Sequence, residues 1–426
     1  MVYTEVDNKT RTVRMAALLG AIFVIDELLF PVVHVGPIPF KISYLLAFAW
    51  LLISIPKARI VKAGLSGNLD SAEARGVYRC LWLLIFISII SELTLSFLTN
   101  VVSRTIFIEG IEFFLFYLGC FGLGYCCYRL NKNVFLYVLY IYCILNIVLA
   151  VFADYIPTSI YSFFLRDNEL ADRLRGTGGN PNTTLCQMNI LLLAIVVFYR
   201  KGILKVSGIH NWLVIAIPVI TNMVISSRGE FIQTCILEVV FIYVFLKNQR
   251  NLVKTLLLVI LLGIILGLGY MYITQVLYNQ NEAVRVAIDR INKLGDLTSV
   301  DSDSVKQTST ILRPFIHLEE FWNRFRHSPI WGCGYSAGSG YDFEREVSRY
   351  HNDIFKILAS TGVLGGFLWI EIVRRFVKNG GFIVIIPFLT SAITNTFIQS
   401  THAINLFFFV FGIVLHISNE RTHTNE

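Results

Sequence analysis

A histidine and an asparagine, His351 and Asn352, stand where a long polar stretch turns back into an apolar run. Arg345 and Arg349 precede them, and Gly362, Gly365 and Gly366 follow at helical spacing. An imidazole titrates near neutrality, so a neutral His351 can take the proton of an attacking hydroxyl. The matching electrophile is suggested by arginines. Planar guanidinium groups are the preferred bidentate partners of phosphate oxygens, and Arg173, Arg175, Arg228 and Arg313 all lie in or beside polar breaks between apolar runs. Arg228 interrupts two such runs with almost no polar loop around it, so its charge has to point into a polar cavity. Each residue also has a plainer reading: an arginine at a membrane boundary can be a snorkelling anchor to lipid phosphates, and an interfacial histidine can be structural.

Those residues are set in a membrane protein. Of 426 residues 55% are hydrophobic and 15% charged, against roughly 25% charged in soluble domains, and the mean hydropathy is +0.63. Apolar runs of the length that crosses a bilayer, about 17–25 residues, fall at 13–33, 38–56, 80–98, 105–128, 134–153, 183–199, 211–227, 229–246, 253–275, 352–373, 381–398 and 403–418. The fold class expected is therefore all-α: a polytopic integral membrane protein of about twelve transmembrane helices. Residues 1–275 supply the first nine with short loops, 276–350 form one large extracytoplasmic loop, and 351–426 supply the last three and a tail.

Basic residues orient the bundle. Lys9, Arg11 and Arg14, then the groups around Lys57–Arg79, Arg129–Lys132, Arg200–Lys205, Lys247–Lys254 and Arg374–Lys378, all fall on one side, which places both termini in the cytoplasm. Segments 154–182, 226–229 and 276–351 then lie on the outer face together with every candidate residue. The net charge of +7 is mostly this topology signal and implies no nucleic-acid partner. The first run is too long for a signal-peptide core and reads as a retained anchor. The eight cysteines sit mostly in or beside spans, only Cys333 being clearly outside, and neither a disulfide framework nor metal-ligand spacing appears.

Within the large loop, residues 282–294 read as an amphipathic helix and 296–310 as a polar, mobile stretch. A second helix is expected from Pro314 to about residue 326, its apolar face made of Ile316, Phe321, Trp322 and Phe325. Gly362, Gly365 and Gly366 read as close-packing positions of a helix. Asp26, Glu27, Glu92, Glu109 and Glu112 recur in the outer halves of spans, either pairing with arginines or forming the acceptor side, while Glu238 lies deeper. His210, His317, His327, His402 and His416 lack company of this kind and read as structural.

The spacing His351-Asn352, nine residues, Gly362, two residues, Gly365 resembles the signature of the O-antigen ligase and O-antigen polymerase superfamily of bacterial envelope glycosyltransferases. The stretch from His327 through Pro329, Gly332 and Gly334, with Arg313 upstream, resembles a turn of that family. The segments 226–229 and 175–182 are two further matches in the same order. The resemblance covers roughly the second half of the chain.

It implies a GT-C-like helical scaffold and transfer of a glycan from undecaprenyl diphosphate, with inversion and without a metal or other cofactor. His351, Arg228 and Arg313 take the catalytic places, and Arg175, Arg173, Asn182, Arg349 and Asn352 the substrate-binding ones. The implied partners are the lipid-linked oligosaccharide, a glycan acceptor, membrane lipid and a chain-length regulator, at the outer face of the bacterial inner membrane. A polymerase transfers the chain onto a lipid-linked repeat unit and a ligase onto lipid A–core. The His-Asn-Asp start at 351–353 resembles many polymerases, which is the reading taken, with the ligase as alternative. A flippase or other transporter calls for charged residues through mid-membrane, and here the polar cluster lies at the boundary.

Overall fold

The computed structural model describes residues 2–30, 33–35, 38–60, 71–100, 104–151, 181–225, 228–247, 263, 318–336, 343, 350, 352–391, 397 and 401–424. They are helical apart from one ribbon and short turns. Among them six helices are long and apolar enough to cross a membrane: Ala72–Thr99, Asn133–Ala150, Asn182–Arg200, Gly229–Lys247, Asp353–Gly380 and His402–Glu420. Shorter apolar helices are Ile42–Leu52, Ile111–Cys126 and Ile209–Ile225. The expected span at 253–275, the helix at 282–294 and the polar stretch at 296–310 lie outside the described residues, Gly263 apart.

The chain divides into two compact units, one of residues 1–27, 32–131 and 311–426, the other of 28–31 and 132–310. In the first, α1 (Val2–Leu29) leads through a ribbon of β1 (Val33–Val35) and β2 (Ile38–Phe40) to α2 (Ile42–Ile60). The strands are antiparallel, with Val33 opposite Phe40. The apolar run at 38–56 thus starts as a strand and becomes helix only at Ile42. α3 (Ala72–Thr99) is capped by Ser71, whose hydroxyl accepts from the Ala74 amide, and α4 (Arg104–Cys126) follows.

After the other unit come α9 (Leu318–His327), α10 (Asp353–Gly380), a 3-10 turn at Phe382–Ile385, α11 (Ile386–Ser391) and α12 (Thr401–Thr424). The described residues of the run 381–398 are that turn, that short helix and the bend at Phe397. α4 packs most closely on α12, because a Cβ at Gly124 or Gly412 would meet the partner helix's backbone. An aromatic core fills the space beside it: Tyr117 stacks on Phe408 at 5.0 Å, and Phe376 on Phe411 at 4.8 Å.

α3 and α10 also pack together. At one end Glu73 bridges Arg375 at 2.9 Å and Lys378 at 2.5 Å; at the other the candidate site is assembled. The basic segment 374–378 and the start of α3 therefore share an end.

The second unit holds α5 (Asn133–Val151), α6 (Pro181–Arg200), α7 (Ile209–Ile225) and α8 (Arg228–Lys247). α6 is apolar around its whole circumference and is accordingly central, every residue from Leu185 to Phe198 being buried. Glu238 on α8 is only 4% exposed, and neither carboxylate oxygen has a hydrogen-bond partner among the described residues. An unpaired buried carboxylate costs more than an apolar side chain of similar size. Glu238→Met is accordingly expected to raise the thermal midpoint by a few degrees in a detergent melt, and a fall would show that the carboxylate is needed.

Candidate active site

The described neighbours of residue 351 are fixed on both sides. Asn352 caps α10: its side-chain oxygen accepts from the amides of Ile354 at 2.9 Å and Phe355 at 3.3 Å. Asp353 in the first turn reaches across to accept from the Phe397 amide at 2.8 Å. On the other side, Tyr350 is 1% exposed and packs in a cluster with Phe321 and Ala359, flanked by Phe355 and Leu358. Phe321 stacks on Phe355 at 4.5 Å, which docks α9 on the first turns of α10.

α10 is two helical arms meeting at Gly362, whose φ is +64° and ψ −166°. Gly362 is the close-packing position expected, but the helical part of that reading is corrected: the helix breaks there. A break orphans the carbonyls that end one arm and the amides that begin the next, and the turn at 328–334 satisfies both sets. The amides of Cys333 and Gly334 bond the carbonyls of Ala359 at 2.9 Å and Ser360 at 3.0 Å. The carbonyls of Pro329 and Ile330 accept from Val363 at 2.9 Å and Leu364 at 3.0 Å. The approach leaves no room for a side chain at 362, where a Cβ would strike the Ile330 carbonyl.

The same turn is fastened to α3. Ser91 donates to the Trp331 carbonyl, the Trp331 indole donates to Thr94 at 3.1 Å, and Glu92, 1% exposed, accepts the Tyr335 amide at 2.7 Å. From below, Arg324 of α9 is fully buried and its Nη2 donates to the carbonyls of Cys333 at 2.9 Å, Gly334 at 3.0 Å and Ser336 at 2.6 Å. Its guanidinium also lies over Phe343, 5.6 Å from the ring centre. The apolar face read for this helix is divided, Phe321 being buried and Trp322 58% exposed, and Arg324 is inside. Converging carbonyls make the guanidinium the better core residue here.

Burial lowers the pKa of Arg324 from its ordinary value, the nearby tyrosine, thiol and carboxylate opposing the shift. Burial also pushes the Cys333 thiol up to about 11 and raises the Tyr335 phenol, so both stay protonated at neutral pH. In the first turns of α10, Lys356 is 2% exposed beside Asp353, and its Nζ has no hydrogen-bond partner among the described residues.

In the other unit, Arg228 is the first residue of α8. Just beyond it a buried polar network closes the start of that helix. Asn189 donates to the Glu230 carboxylate at 2.9 Å, Thr234 donates to Asn189 at 2.6 Å, and Asn222 donates to Thr234 at 2.7 Å. Asn182 is half-buried in the first turn of α6.

Of the residues singled out from the sequence, Asn352 is therefore placed as a helix cap, and Asn182 and Arg228 at helix starts. His351, Arg313, Arg173, Arg175 and Arg349 lie outside the described residues. The residue that sequence reasoning passed over is Arg324, which holds the turn. Glu92, read as a partner for arginines or part of the acceptor side, holds the turn through the Tyr335 amide, and His402, read as structural, has its Nδ1 2.8 Å from Glu27. No local signal marks the pair, since 375 positions separate the two residues.

Residues 213–370 match the family model described as O-antigen ligase. The matched stretch includes Arg228, Arg313, the turn at 328–334, His351, Asn352 and the break at Gly362, and ends before Arg375. No curated protein matches the chain.

Proposed function

From a chain whose residues 213–370 match the family model described as O-antigen ligase, we propose a member of the O-antigen ligase and polymerase superfamily, a membrane glycosyltransferase that acts on lipid-linked glycan. The reaction proposed is polymerisation: glycan carried on undecaprenyl diphosphate is transferred onto a lipid-linked repeat unit at the outer face of the inner membrane. The observation that supports the glycosyltransferase reading is that one continuous family match contains Arg228, Arg313 and His351; the choice of polymerisation rests on the His-Asn-Asp start at 351–353.

The acceptor hydroxyl oxygen forms a bond to the anomeric carbon from the face opposite the leaving group, which inverts that centre. The bond from that carbon to the phosphate oxygen breaks, and the electron pair leaves on the diphosphate. His351 takes the hydroxyl proton. Arg228 and Arg313 converge on the departing diphosphate and stabilise its charge, since more than one fixed donor is needed around a group of that size. Arg173, Arg175, Asn182 and Arg349 border the same cavity. Asn352 contributes through the cap that fixes the chain beside His351. The chemistry calls for no metal, and chain formation is expected to survive EDTA.

A ligase, transferring the glycan to lipid A–core, is the second reading, favoured by the description of the matching family model. The surface glycan of a strain lacking the protein separates the two. Core capped with single repeat units means a polymerase; long chains left on undecaprenyl diphosphate mean a ligase.

With the basic loops inside, both termini and residues 57–79 are cytoplasmic and 276–350 lie outside. Cysteines introduced at Ser302 and Ser339 are expected to react with an impermeant maleimide added to intact cells freed of outer membrane. Native Cys333 stays silent, being fully buried with its thiol pushed up to about 11. Protection at both introduced sites would reverse the orientation.

A further inference from the structure

A second polar cluster sits in the first unit, where the end of α1, the start of α2 and the start of α12 meet. The Glu27 carboxylate is completely buried and takes three side chains: His402 Nδ1 at 2.8 Å, Ser43 Oγ at 2.5 Å and Asn405 Nδ2 at 3.4 Å. Lys41 donates to the Glu27 carbonyl at 2.7 Å, and the Ser43 amide donates to Asp26 at 2.7 Å. The His402 ring turns Nδ1 to Glu27, so Nε2 is the polar atom of the ring that faces away from the carboxylate. That nitrogen has no partner among the described residues, and the side chain is 18% exposed. The imidazole also lies parallel to the Tyr44 ring, centroids 6.1 Å apart.

We propose that Glu27 and His402 form a sugar-hydroxyl subsite for the acceptor glycan, with Nε2 hydrogen-bonded to a glycan hydroxyl, which can donate or accept, and Tyr44 offering an apolar face beside it. The inference rests on the glycosyltransferase reading and assigns one side of that site. Charge decides against the donor's diphosphate. Asp26 and Glu27 set two carboxyl groups against one amine, Lys41, and that amine is buried and spent on a backbone carbonyl. A neutral, hydroxyl-rich ligand suits such a place; a diphosphate does not. Location fits as well. Asp353 bonds the Phe397 amide, and the five residues from Phe397 to His402 span at most about 17 Å even fully extended. The subsite therefore lies within reach of a short glycan whose other end is at residue 351.

A bond made only for packing needs Nδ1; a bond to glycan needs Nε2. His402→Asn keeps a donor where Nδ1 is and removes Nε2, whereas His402→Gln restores a polar group near Nε2. With purified full-length protein in nanodiscs, His402→Asn is expected to raise the acceptor KM about tenfold, the upper range for one lost neutral hydrogen bond. The donor KM stays unchanged, and Gln recovers part of the loss. An unchanged acceptor KM in folded His402→Asn overturns the proposal.

The wild-type protein gives a second readout free of folding effects: carbethoxylation of His402 by diethyl pyrocarbonate, followed by mass spectrometry. The probe is the free oligosaccharide released by mild acid from the producing strain's lipid-linked repeat unit. It is expected to protect His402, and undecaprenyl diphosphate is not. No protection by the oligosaccharide, or equal protection by undecaprenyl diphosphate, also overturns the proposal. Protection by the oligosaccharide in a protein that forms no chains leaves the glycan subsite standing and removes the transferase reading instead.

Discussion

Replacing His351 with alanine lowers turnover by roughly 10²–10⁴-fold, the usual loss when a general acid or base is removed, while lipid-linked donor still binds. Arg228→Lys makes the complementary test. It keeps the charge and removes the planar fork, so a bidentate phosphate contact is lost and a simple lipid anchor is not. The assay is chain formation on synthetic undecaprenyl-diphosphate donor with protein level controlled. Full activity of His351→Ala removes the base assignment and leaves that position a binding role. Full activity of Arg228→Lys reduces Arg228 to an anchor.

The second large effect is on folding. Arg324→Met keeps much of the side-chain length and removes the donors to the Cys333, Gly334 and Ser336 carbonyls. Each buried carbonyl left without a donor costs about 1–3 kcal/mol, a sum comparable with the 5–15 kcal/mol by which a typical domain is stable. The expected result is loss of monodisperse protein in detergent, or a much lower thermal midpoint. Arg324→Lys rescues little, because an ammonium lacks the guanidinium's reach and geometry. A midpoint unchanged in Arg324→Met would mean the turn is held by its backbone bonds and α3 alone.

The broad plan is legible from composition, because the bilayer demands helices and apolar runs mark them. The start of α10 carries a local signal too: Asn352, read from the sequence as substrate-binding, stands before Asp353 and an apolar run, the pattern of a capped helix start. The break at Gly362 is not. Helical periodicity continues through it, and only the bonds from 328–334, about thirty residues earlier, make the broken form the stable one. The burial of Arg324 is hidden for the same reason, since three converging carbonyls exist only after the turn has formed. Hydropathy assigns an arginine to water until such acceptors are known. His402 and Glu27 fail differently: each is unremarkable in its own run, and the pairing is a product of helix packing alone.

The four backbone bonds that join 333–334 to 359–360 and 329–330 to 363–364 enclose the stretch of chain containing His351 in a closed circuit. Closing such a circuit costs entropy that rises only with the logarithm of its length, about 0.6 kcal/mol for each doubling. Lengthening or shortening the chain on either side of Phe343, which stays seated beside Cys333 and under Arg324, therefore costs little in closure entropy, while the clasp that anchors the circuit stays the same. The length of the circuit and the bonds that shut it are separate terms in the stability of the fold.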